Sequence, residues 1–279
     1  MARYKDSHSP KPEQVADHYD SGYEADRLHK GTGILDRERS RELLKRFLPP
    51  APATILDVGG GPGGHACWLA QQGYQVHLID ITPLHVQLAR EASRRQPEAP
   101  LASANIGDAC SLPWSAEMAE AILLFGPLYH LTDEKDRLAA LQEAHRVLKL
   151  GGILLAVGIS RFASMFDGLR QGFLKDPRFA EIVTQDLMNG QHRNPTHHPE
   201  YFTDTFFHHP DELCQEVARA GFVVRGIYSV EGPCWLLRDF EEWWNNAEYQ
   251  ERLLQIARTL ETESSLLGVS AHLMAVANK

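Results

Sequence analysis

Residues Leu56 to Ala70 read LDVGGGPGGHACWLA. An apolar run closes on Asp57, and five glycines and one proline then fill six positions before a helical stretch begins. Glycine at the end of a buried strand lets the backbone turn with positive φ and approach a ligand closely. The helix that follows offers its unpaired N–H groups to whatever sits there. This stretch constrains the fold most, because a strand, a glycine turn and a helix in that order start a parallel βα unit.

The units repeat. TILDV, YQVHLID, LASANI, AEAILLF and ILLAVG read as strands, and the helical segments HACWLAQQG, PLHVQLAREASRR and DEKDRLAALQEAHRVL fall between them. Apolar runs with helices between them predict an α/β, doubly wound sheet covered on both faces. Before this core, residues 12–48 have a helical pattern that PPAPA stops, since proline lacks the helix donor. After it, residues 160–210 turn irregular, with many aromatics and histidines, and read as an inserted lid. PDELCQEVARAGF is a helix with Asp211 near its cap, VVRGIYSVEG a strand, residues 238–262 helical, and SAHLMAVAN a closing strand. The expected divisions are 1–52, a helical cap; 53–159, the core; 160–210, the lid; and 211–279, the closing helix and strands.

The glycine loop alone has two readings. Gly59, Gly61 and Gly64 satisfy the dinucleotide fingerprint G-x-G-x-x-G. Asp57, Gly59, Gly61 and Gly63 satisfy D-x-G-x-G-x-G, which resembles the first motif of the class I S-adenosylmethionine-dependent methyltransferases. Asp80, closing the second strand, suits a ribose diol in either case.

Later segments favour the second reading. GDACSLPW at 107–114 resembles the methyltransferase motif whose acid follows strand three, AEAILLFGPLYHL its fourth-strand motif, and HRVLKLGGILLAV its entry to strand five. In order and at natural βα spacings, they cover about residues 53–158. The tone is that of the ubiquinone and menaquinone biosynthesis group. The resemblance implies a Rossmann-like seven-stranded sheet with an N-terminal cap and a lid after strand five. It implies S-adenosylmethionine as methyl donor and a small-molecule acceptor methylated by in-line displacement, giving S-adenosylhomocysteine.

It also implies a site. Asp57, Gly59, Gly61 and Gly63 would approach the methionine tail, Asp80 and Ile81 the ribose, and Gly107, Asp108 and Ala109 the adenine. Phe125 and Gly126 would line the donor near its methyl group. HYDSGYE resembles the YD segment of a donor-capping helix, which places Tyr19 on the donor and acceptor, near His18 and Tyr23. Tyr129 and His130, after strand four, should face the acceptor, with His130 as a base or polar contact. Displacement requires the nucleophile roughly 3 Å from the methyl carbon and opposite the sulfur, so positioning is the main device, and a dry lid assists it.

Other readings stay open. An NAD-dependent oxidoreductase would use the first glycine triplet, but no Tyr-x-x-x-Lys pair is present and GDACSLPW is then unexplained. A non-catalytic donor-binding regulator is compatible with the same motifs. In the lid, His192, His197, His198, Tyr201, His208 and His209, with Glu200 and Asp204, invite a metal. They lack i, i+4 spacing and a cysteine partner, so no metal is expected. Trp235, Trp243 and Trp244 read as core before acceptor slot.

A net charge of -9 argues against nucleic-acid and anionic-membrane partners. Cys67, Cys110, Cys214 and Cys234 lie far apart, which predicts neither disulfides nor a structural zinc and suggests a reduced, cytoplasmic setting. The N-terminus lacks the apolar stretch of a signal peptide. The N-terminal helices could pack on their own sheet or exchange with a neighbour in a homodimer.

Overall fold

A computed structural model describes Leu28 and residues 30–279. Tyr19, His18 and Tyr23 lie outside these described residues. The chain enters as α1 (Gly33–Phe47), turns at the prolines, and begins the core with β1 (Thr54–Val58), α2 (Gly64–Gln71), β2 (Gln75–Asp80), α3 (Pro83–Arg94), β3 (Ser103–Ile106) and β4 (Ala119–Leu124). A single turn, α4 (Pro127–His130), leads to α5 (Glu134–Val147) and β5 (Leu148–Ser160). The bounds of β1 to β4, α2, α3 and α5 fall within two or three residues of the sequence expectations; β5 begins five residues before ILLAVG, and the turn α4 was not expected.

β1 lies between β2 and β4, all parallel, with Ile55 opposite both Val76 and Ala121. β3 extends the sheet beyond β2, and β5 joins β4 in parallel. The two last strands, β8 (Val223–Ser229) and β9 (His272–Asn278), pair antiparallel. β9 lies against β5, from Ile153↔Asn278 to Ile159↔His272. The core order is therefore β3-β2-β1-β4-β5-β9-β8.

Alternate residues of each strand serve opposite faces, as the pleat requires. Leu56, Val58, Ile122, Leu124 and Leu154 pack with Leu141, Ala144 and Val147 of α5 and with Leu213 and Val217 of α8 (Pro210–Arg219). Ile55, Val76, Leu78, Leu123 and Leu155 pack with α1, α2 and α3 through Leu43, Leu44, Leu69, Val86 and Ala89. Both faces are covered, which explains the near-continuous apolar runs of these strands.

The expected strand count is corrected: among the described residues the sheet has nine strands. The added pair comes from the segment read as irregular. That segment holds α6 (Ala163–Gln171), α7 (Pro177–Asn189) and a hairpin of β6 (Gln191–His192) and β7 (Thr205–His208). β5 is 13 residues long and outruns β4. Ile159 already pairs with His272 on its β9 side, so Phe207, its parallel partner, takes the other side. This hairpin thus sits just past the carboxyl end of β4. Sequence periodicity cannot reveal so short a strand, whose pairing depends on a distant overhang.

At the far edge, α9 (Phe240–Trp244) and α10 (Ala247–Leu260) cover the start of α1 through Leu35, Cys234, Phe240, Leu253 and Leu254, with Trp243 and Trp244 packed alongside. Trp235 is buried and donates its indole N–H to the Val269 carbonyl at 2.8 Å. These tryptophans are core. No helix among the described residues is long and apolar enough to cross a membrane.

Candidate active site

The carboxyl ends of β1, β2, β3 and β4 bring together Asp57, Asp80, Gly107 and Phe125. Between the first two runs the glycine loop, and its backbone separates the two motif readings. Gly63 has φ 87° and forms the left-handed N-cap of α2. Gly64 is already helical, and a Cβ there would meet nothing within 4 Å. The structure therefore requires glycine at the last position of D-x-G-x-G-x-G, Gly63, and does not require it at the last position of G-x-G-x-x-G, Gly64.

The loop is also pinched from the side. A Cβ on Gly59 would fall 2.5 Å from Pro127 Cδ, and one on Gly126 would fall 3.0 Å from the Gly59 carbonyl oxygen. The first and fourth strand ends thus touch backbone to backbone. Pro127 was missed in the sequence, and only its position after Gly126 could have pointed to it.

Asp80 is the bracket of this loop. Its Oδ2 accepts from the Gly61 N–H at 2.8 Å and its Oδ1 from the Thr82 N–H at 2.8 Å. His85, one turn into α3, places Nδ1 3.3 Å from the same Oδ1. His85 was not anticipated, since its role follows from the bend between β2 and α3. Ile81 is the residue between these two contacts.

Asp57 is 2% exposed and faces the start of α2. Burial, reinforced by the Asp80 charge, pushes its carboxyl up to about 7, against the Ala66 N–H that it accepts. Its Oδ2 has no hydrogen-bond partner among the described residues. A dry, under-satisfied carboxylate beside a glycine turn is a fitting place for a cationic ligand group.

Farther along, a Cβ on Gly107 would fall 2.2 Å from Ile79 Cδ1, so β3 ends tight against β2. Asp108 Oδ1 accepts from the Cys110 N–H at 2.9 Å, and Ala109 is half-buried. Across the cleft, the Phe125 and His65 rings meet edge to face at 5.5 Å.

Tyr129 and His130 lie on α4, rings 4.7 Å apart. Tyr129 packs with Ile159, Ala163, Phe202 and Phe207, which makes an apolar wall between α4 and the lid hairpin. Behind that wall runs a buried charged network that the sequence did not suggest. Arg137 of α5 donates from Nε and Nη2 to Glu216 of α8 and from Nη1 to the carbonyls of Leu131 and Thr132. Its guanidinium lies 3.6 Å from the Phe206 ring centroid. Burial would raise the Glu216 carboxyl, but hydrogen bonds from His208 and Arg137 hold it down at about 2. His208 is fully buried, which lowers its pKa; we read it as neutral, donating Nε2–H to Glu216 at 3.2 Å.

His192, His198 and His209 of the same segment take separate structural parts. His192 contacts Asp186 through Nδ1 at 2.8 Å and the Tyr201 carbonyl through Nε2 at 2.7 Å. His198 stacks on Tyr201, and Asp204 accepts from the Asn194 N–H. His209, not Asp211, is the N-cap of α8, in a capping box with Glu212.

Comparison with known proteins bears on the family and the fold. The family described as "Methyltransferase domain" matches residues 56–156. A demethylmenaquinone methyltransferase of Tropheryma whipplei is 31% identical over 194 residues, covering 68% of this chain and 74% of that one. A ubiquinone/menaquinone biosynthesis C-methyltransferase of Neisseria meningitidis is 28% identical over 176 residues, covering 60% and 66%. The crystal structure of an S-adenosylmethionine-dependent methyltransferase from Methanosarcina mazei aligns with a TM-score of 0.58 at 21% identity, covering 85% of this chain and 96% of that one, and so shares its fold.

Proposed function

The chain belongs to the class I S-adenosylmethionine-dependent methyltransferases, in the ubiquinone- and menaquinone-like group, and from that premise we propose that it methylates a small, largely apolar molecule held between α4 and the lid hairpin. S-adenosylmethionine is the methyl donor. Its sulfonium would supply an activated methyl group: an electron pair of the acceptor forms the new bond to carbon as the carbon–sulfur pair leaves with sulfur, giving S-adenosylhomocysteine.

In this reading Gly59, Gly61 and Gly63 bring backbone against the donor's amino-acid tail, and Asp57 faces its ammonium. Asp80 holds the ribose while bracing the loop, with Ile81 alongside. Gly107, Asp108 and Ala109 take the adenine, and Phe125 and Gly126 border the reacting carbon. Tyr129 and the aromatic wall orient the acceptor and exclude water. His130 accepts the proton that an O–H or N–H acceptor must lose. Tyr19 contributes from the N-terminal segment.

One observation carries the acceptor assignment: β7 pairs past the end of β4, so Phe207, Tyr129 and Ile159 form a wall at the strand end beside the donor loop. An apolar wall with few polar groups suits a small organic acceptor. The names of the Tropheryma and Neisseria relatives support the same class.

The test is calorimetric titration with S-adenosylmethionine and S-adenosylhomocysteine, followed by a panel of quinols, phenols and amines read out as S-adenosylhomocysteine release. Asp80→Asn should weaken donor binding roughly tenfold or more, as loss of a charge-assisted hydrogen bond does. Unchanged affinity in that variant would remove Asp80 from the site. Turnover of no small molecule, with intact donor binding, would sink the acceptor class. His130→Ala should lower kcat for protic acceptors and leave donor affinity unchanged.

A further inference from the structure

Away from the glycine loop, three ligating side chains meet where α1 joins the edge formed by β8 and β9. Asp36 lies in the first turn of α1, Glu231 in the turn after β8, and His272 is the first residue of β9. Each offers one atom, and the three atoms lie within 4.8 Å of one another. His272 Nδ1 is 2.5 Å from Glu231 Oε1 and 3.8 Å from Asp36 Oδ2. Asp36 and Glu231 are 7% and 2% exposed.

The second oxygen of each carboxylate is held from behind. Ser40 Oγ donates to Asp36 Oδ1 at 3.1 Å. Ser270 Oγ and the His272 N–H donate to Glu231 Oε2 at 2.8 and 3.0 Å. One oxygen of each acid is thereby turned toward the imidazole, which is the backing that oriented metal ligands receive. Two carboxylates against one imidazole leave the trio with net negative charge in either protonation state of the ring. A divalent cation complements that charge.

We propose that Asp36, Glu231 and His272 bind one divalent transition-metal cation through Oδ2, Oε1 and Nδ1. One imidazole and two carboxylates suit Zn2+, Mn2+ or Fe2+. The ion takes the place of the proton shared between His272 and Glu231, because ligands bind metal deprotonated. It fastens α1 to the β8/β9 edge, at the same end of the sheet as the lid, since His272 pairs with Ile159. Three protein ligands leave further coordination positions to water. Sequence spacing could not show this site, because its ligands come from three remote segments.

The test uses the full chain, stripped with chelator and dialysed, and titrated with Co2+ alone and then with Zn2+. The expected result is one equivalent of Co2+ with visible absorption bands, displacement by Zn2+, and a higher Tm with Zn2+. Asp36→Asn and Glu231→Gln should each weaken binding on the order of 100-fold, with circular dichroism melts reporting their folding. No saturable one-equivalent binding to the unaltered chain, or equally tight binding by folded variants, overturns the proposal. If both variants fail to fold, ring NMR of His272 in the unaltered chain decides. A Zn2+-induced shift of Nδ1 supports the site. A ring that stays doubly protonated between the two acids overturns it.

Discussion

Asp57 illustrates how far one side chain can depart from its ordinary chemistry. Its carboxyl titrates at about 7 because burial and the neighbouring Asp80 disfavour its charge. Below about pH 4 the residue is protonated folded and unfolded alike and adds no pH dependence. Between about pH 4 and pH 7 the unfolded chain has released a proton that the folded chain retains, so stability from this residue falls as pH rises, then levels off. Asp57→Asn should therefore be more stable than the unaltered chain at about pH 8, on the order of 1–3 kcal/mol, and should lose that advantage at about pH 4, as urea denaturation would show. Binding of the cationic donor should draw the Asp57 proton off. Calorimetry near pH 7 in buffers of different ionisation enthalpy should find proton release in the unaltered chain and none in Asp57→Asn.

Among the elements, the lid hairpin depends on a buried triad. Arg137 ties α4's exit to Glu216, and Glu216 takes His208 of β7. Arg137→Ala leaves a buried carboxylate without its cation and should cost about 3–5 kcal/mol in urea denaturation. The neutral His208 gives this region an acid sensitivity. Its pKa lies below the unfolded value, so the unfolded chain binds the extra proton and stability is lost as pH falls below about 6.5. Hydrogen exchange at Phe207 and His208 should quicken there before it does in β1 or β4.

This scale also explains what the sequence could tell. Asp57, Asp80, Gly107 and Gly126 each close a strand, and their placement is set within a few residues of chain. Apolar periodicity finds the strand ends, and the resemblance to the methyltransferase motifs singles out these residues there. The triad of Arg137, His208 and Glu216 depends on α5, β7 and α8 arriving at one point, and nothing local to any of them announces it. The lid read as irregular for the same reason: β6 and β7 owe their pairing to the overhang of β5. Asp211 lies in the first turn of α8, near the cap as its position suggests, and His209 is the cap itself.

For the whole molecule, the last strand is a central one. β9 stands between β5 and β8, and Leu273 through Ala277 are fully buried. Removing residues 272–279 would withdraw Leu273, Met274 and Val276, at about 1.5–3 kcal/mol each, and would unpair two strands. Against a total stability of about 5–15 kcal/mol, the truncated chain should show no cooperative melt by circular dichroism.

The overhang of β5 has a mechanical consequence. One continuous strand carries both the central parallel sheet and the first rung of the hairpin, through Ile159↔Phe207 and Ser160↔His208. The hairpin is bolted to the frame and cannot swing as a flap without breaking that ladder. It therefore stands as a fixed lintel beside the end of β4.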